Sequence, residues 1–69
     1  MFALSKQIYA LQTRFPYASY EHIQLEKAFD MVSHGNYGYT LQILQEYTFK
    51  SYENEKQYIC TQLNEYLNK

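Results

Sequence analysis

The spacing of hydrophobic and polar positions is helical along most of the chain. Leu4, Ile8, Leu11 and Phe15 recur at i, i+4, i+7 and i+11, which winds one apolar stripe along a helix and predicts an element over about 3–14. Pro16 ends it by disfavouring helical geometry at Phe15. Ser19 is a candidate N-cap, and Glu21 falls in the first turn, where the helix dipole favours negative charge. A second helix is therefore predicted over about 20–34, with Leu25, Ala28, Phe29 and Val32 as its main face. His34 in its last turn and Gly35 just beyond are stop signals. Gly35 is expected in the left-handed conformation, with Asn36 and Gly38 completing a tight turn.

From Tyr39 to Lys69 there is neither glycine nor proline. One unbroken helix over that span would approach ~46 Å, longer than a small domain is wide. The apolar stripe also turns: Leu41, Ile43, Leu44 and Tyr47 share one arc, whereas Tyr52, Ile59, Leu63 and Tyr66 share another. A straight rod facing one core keeps its stripe fixed. The pattern thus places a break near Lys50–Glu53, with Ser51 capping the last helix, and predicts helices over about 38–50 and 52–67. A continuous last helix is the alternative. The expected fold is all-α, a bundle of three to four helices forming a single domain over 1–69. Glu46/Lys50 and Glu65/Lys69, acid first at i, i+4, read as solvent-facing pairs worth ~0.2–0.5 kcal/mol each.

Several apolar residues do not fit one core. Tyr20 and Met31 lie nearly opposite Leu25 and Phe29 on the second helix, with Ile23 also displaced, and Phe2 and Tyr9 lie away from the stripe of the first. Two apolar faces on one helix need two things to pack against: neighbours on both sides, or another chain. Tyr37, Tyr39, Tyr47, Tyr52 and Tyr58 raise the same choice. Of these, Tyr37 and Tyr39 sit at the glycine turn, where at least one ring is expected to be exposed. Aromatics and methionine are enriched at interface cores, so Phe2, Tyr9, Tyr20, Met31, Tyr37 and Tyr39 are the expected protein interface.

Composition sharpens this. Of the 46% hydrophobic residues, nine are tyrosines, whose hydroxyls want water or a hydrogen-bond partner. A chain of 69 residues buries only roughly 60% of its unfolded surface, so a partner would help it. Cys60 is the only cysteine and cannot pair within the chain, which points to a reducing compartment; on the face shared with Leu63 and Leu67 it reads as an inert buried thiol. The first twenty residues hold Lys6 and Arg14 and no acid, a trait shared with mitochondrial presequences. Their core-like spacing of Leu and Phe argues instead for folded structure, and no continuous apolar stretch suits a signal or a membrane span. The expectation is a cytoplasmic protein with no membrane association. The Tyr-, Asn-, Lys- and Ile-rich composition suggests a bacterial or phage source.

Chemical motifs are sparse. The glycines close a helix rather than opening one after a strand, so they form no phosphate-binding loop. His22 and Glu26, at i, i+4, could share a metal on one helix face but read better as a solvated pair. His34 is explained by its place at a helix C-terminus. No catalytic residue, cofactor or metal is expected. Six basic residues scattered among seven acids make a poor phosphate-binding stripe and argue against nucleic acid as a partner. A helix-turn-helix reading would rest on Gln42, Gln45 and Lys50 of the third helix.

The segment LEKAFDMVSHGNYGYTLQIL resembles a tetratricopeptide-type helical hairpin. Ala28 stands where a small residue meets the second helix, Gly35 and Tyr37 fall at the turn, and Thr40 and Leu44 take packing positions. Gln24 and Tyr47 depart from the pattern, no proline follows, and a solenoid needs about three repeats. The resemblance implies at most one peptide-binding hairpin. Together these readings lead to the expectation of a homodimeric, non-catalytic regulator or adaptor. The alternatives are a DNA-binding transcriptional regulator or an inhibitor of a nucleic-acid-binding protein.

Overall fold

Local signals fix most element boundaries. The computed structural model describes residues 2–68, with side chains from Ala3 onward. It contains α1 (Phe2–Gln12), α2 (Tyr20–Ser33), α3 (Tyr37–Glu46) and α4 (Glu53–Leu67), with no strand among the described residues. Helix α1 ends slightly early: approaching Pro16 its last turn tightens, with Arg14 N–H donating to the Leu11 carbonyl and Phe15 N–H to that of Gln12. Ser19 caps α2 as expected, its hydroxyl accepting from His22 N–H at 3.2 Å.

The stretch SHGNYGYT joins α2 to α3 with almost nothing between them. Gly35 N–H donates to the Val32 carbonyl and Asn36 N–H to that of Met31, a Schellman closure that needs the left-handed φ of +80° found at Gly35. Asn36 then starts the next helix, its side chain accepting from Tyr39 N–H at 3.2 Å. The tight turn expected to run through Gly38 is shorter than that, because Gly38, like Tyr37 and Tyr39, already lies in the first turn of α3.

The break between the last two helices is real but wider than expected. Helix α3 stops at Glu46, Tyr47 is extended, and α4 begins only at Glu53. Ser51 is not the cap: it sits in the left-handed region at φ 73°, and Tyr52 holds the N-cap position without a side-chain bond. The cause is Phe49, which turns inward and is fully buried. Leaving the helix buries that ring, and a side-chain clasp replaces part of the lost backbone bonding. The Glu53 carboxylate accepts from Phe49 N–H at 2.6 Å, while Lys56 donates to Glu53 at 2.8 Å and to the Tyr47 carbonyl at 3.0 Å. Lys50 therefore lies outside any helix, and Glu46 accepts from Gln42 at 2.9 Å rather than forming a helical pair with it. Lys69, of the other expected pair, lies outside the described residues.

Each helix packs against the next and α4 returns against α1, closing a bundle whose radius of gyration is 10.8 Å, against about 11 Å for a compact chain of this length. The core draws on every helix: Leu4, Ile8 and Leu11; Leu25, Ala28 and Val32; Thr40, Ile43 and Leu44; Ile59, Cys60 and Leu63; with Phe49 from the loop. Helix α2 lies between α1 and α3, which accounts for part of its second apolar face: Phe29 and Met31 are half-buried against the core. A run of rings, Tyr20–Tyr47–Phe49–Phe15–Tyr52, with centroids 4.6 to 5.9 Å apart, joins the 13–19 and 47–52 connections.

Candidate functional site

With the core filled by those residues, several large side chains remain outside it, and they gather along the seams between helices. On the α1/α2 seam Tyr9, 55% exposed, leans on Phe29 at 5.9 Å between ring centroids. The two rings border a shallow apolar hollow of about 410 Å³ with Ser5 and Lys6. On the α2/α3 seam Tyr20 and Tyr39, 57% and 48% exposed, face a smaller hollow of about 220 Å³ shared with Gln24, Lys27, Gln42 and Glu46. Tyr20 is held there by Tyr47. Burial raises the Tyr47 hydroxyl above its ordinary pKa, with the negative charge of Glu21 adding to the effect, so the ring is a neutral phenol at physiological pH.

The third seam, between α1 and α4, holds an apolar groove of about 310 Å³. Helix α1 contributes Gln7, Ala10 and Leu11 and, in the turn after it, Arg14; α4 contributes Glu55, Tyr58 and Ile59, with Tyr52 at its N-cap. Leu11 and Ile59 are buried and form the floor, while Tyr58 stands 61% exposed on the α4 wall. The side-chain carbonyl of Gln7 is buried with no hydrogen-bond partner among the described residues, a group that costs about 1–3 kcal/mol to leave unsatisfied. Arg14 and Glu55, one on each wall, are exposed and form no ion pair among the described residues.

The six residues expected at an interface are thus spread over the molecule rather than gathered. Tyr9 belongs to the α1/α2 seam and Tyr20 and Tyr39 to the α2/α3 seam. Met31 and Tyr37 are half-buried against the core, Tyr37 also meeting Tyr66 at 5.7 Å. The Phe2 side chain lies outside the described residues. Ala10, Arg14 and Glu55 were not singled out by the sequence, and Tyr58 was noticed only as one ring among many. They belong to two helices far apart in the chain, and helical spacing reports the faces of one helix at a time.

The remaining titratable groups have local roles. His22 packs its ring against Tyr17 at 5.3 Å and lies 3.4 Å from the Gln12 amide. His34 Nδ1 donates to the Asp30 carbonyl at 2.7 Å. Cys60 is buried, and loss of hydration pushes its thiol above the ordinary pKa, so it is a poor nucleophile. No three His, Cys, Asp or Glu side chains converge as metal ligands among the described residues. No helix of the described residues is long and apolar enough to cross a membrane. Comparison with known proteins finds no matching family model, no similar curated protein and no similar solved structure.

Proposed function

We propose that this chain is a small protein–protein interaction module that works without catalysis, as a homodimeric regulator or adaptor. One observation carries this reading. Tyr9, Tyr20, Tyr39 and Tyr58 stand about half exposed beside unfilled hollows, although the core is complete without them. Aromatic rings held on rigid helices lose little conformational freedom on binding, which suits them to anchor a contact. The bundle is as compact as its length allows, so these rings are not left out by loose folding. The DNA-binding alternative is less well supported. Helix α3, its would-be recognition helix, contains no basic residue once Lys50 falls outside it, and Lys56 is buried in the clasp. Sedimentation velocity on the full chain at micromolar to millimolar concentration tests the proposal, with a species of twice the chain mass expected. A monomer throughout that range, together with salt-sensitive binding to duplex DNA, would transfer the case to the regulator of transcription.

A further inference from the structure

Of the three hollows described above, only the α1/α4 groove sets charges of opposite sign on its two walls over an apolar floor. In the α2/α3 hollow Lys27 and Glu46 also stand on opposite walls, but the lining is mostly polar and Glu46 already accepts a hydrogen bond from Gln42. The α1/α2 hollow has one charged residue, Lys6, and so offers nothing complementary to itself. In the α1/α4 groove the floor is apolar, the α1 wall ends in a cation, Arg14, and the α4 wall begins with an anion, Glu55. A surface that is basic on one side of a line and acidic on the other is its own complement under a twofold rotation about that line.

We propose that the α1/α4 groove is the contact between two copies of this chain, with the twofold axis running along the groove. This rests on the homodimer reading above and adds where the contact lies. The rotation sets the α1 wall of one copy over the α4 wall of the other. Arg14 then faces the partner's Glu55 and Glu55 faces the partner's Arg14, so each pair occurs twice. Between them, Tyr58 of each copy covers the small side chain of the partner's Ala10, and the apolar surface that these two exposed residues present is withdrawn from water. Such charge pairs fix register and exclude wrong pairings more than they add affinity, and like charges placed in the same positions oppose association strongly.

The test is a charge-reversal exchange read by sedimentation equilibrium at low salt, using full chains with R14E, with E55R, and an equimolar mixture of the two. Both residues are exposed. Glu55 lies in the first turn of α4, so circular dichroism melts of each variant run alongside to establish that it is folded. Each variant alone brings like charges together at both contacts, and its dissociation constant is expected to rise about tenfold or more. In the mixture a chain with R14E meets a chain with E55R, both contacts become opposite in sign again, and the dimer is expected to return as a heterodimer. Dissociation of both variants without recovery in the mixture would overturn the pairing. A wild-type dimer that persists unchanged in both variants would overturn the groove as the contact while leaving the homodimer reading intact. A wild-type chain that stays monomeric removes both.

Discussion

Phe49 is fully enclosed, its ring touching Phe15 at 5.9 Å and Tyr47 at 5.2 Å between centroids. Truncating a buried phenylalanine costs about 3–5 kcal/mol, whereas a chain of this length holds roughly 3–10 kcal/mol in total. Phe49→Ala is therefore expected to abolish the cooperative thermal transition followed by far-ultraviolet circular dichroism. Phe49→Leu, which keeps most of the volume, should lose less than about 1.5 kcal/mol. Beside that ring, the Lys56 ammonium and, less strongly, the Phe49 N–H hold the Glu53 carboxyl below its ordinary pKa of 4.5. Because the folded chain binds that proton less readily than the unfolded one, the stability Glu53 contributes is complete above pH 4.5 and is lost as the pH falls through the lowered folded value. Glu53→Gln should cost about 1 kcal/mol near neutrality, since the carboxylate is partly solvated and its bonds are screened. The melting-temperature gap between wild type and Glu53→Gln is expected to hold level from pH 7 down to about pH 4.5 and to narrow below it. A gap that stays constant would show that the carboxylate's charge is irrelevant to the clasp.

At the scale of the helices, the two glycines of one short motif have opposite requirements. Gly35 adopts φ +80°, and a Cβ there would meet no neighbouring atom, so Gly35→Ala carries backbone strain alone, about 1 kcal/mol of destabilisation. Gly38 also has open space around it but lies inside α3, where alanine is the better helix former; Gly38→Ala should stabilise by up to about 1 kcal/mol. Urea midpoints of the two variants are expected to move in opposite directions from wild type. What was legible in the sequence follows from the same locality. The stripe of Leu4, Ile8 and Leu11, the Ser19 cap and the Gly35 stop depend on near neighbours, and all three stand as expected. The last helix began later than Ser51 suggested because its start is set by Phe49 and by a lysine that bonds the Tyr47 carbonyl nine residues earlier. A lysine reads as solvent-facing from its type alone, and only the assembled loop provides the acceptors that allow Lys56 to be buried. The α1/α4 groove was out of reach for a related reason, since its walls face each other only after the bundle has closed.

For the molecule as a whole, Cys60 provides a means of measuring what association contributes. It sits in the middle of α4, 3% exposed, and burial raises its pKa, so a thiol reagent such as Ellman's must wait for the chain to open. When opening and closing are fast relative to reaction, the labelling rate follows the fraction of chain unfolded. If folding stands apart from association, that fraction does not depend on how much protein is present. If two copies unfold together into two separate chains, mass action makes the unfolded fraction fall as the inverse square root of concentration, so a hundredfold rise should slow labelling about tenfold. That tenfold slowing is the expected result for the wild-type chain, with R14E showing a much weaker dependence over the same range. A wild-type rate that ignores concentration would mean that the four helices stand by themselves and that the exposed rings contribute nothing to stability through self-association.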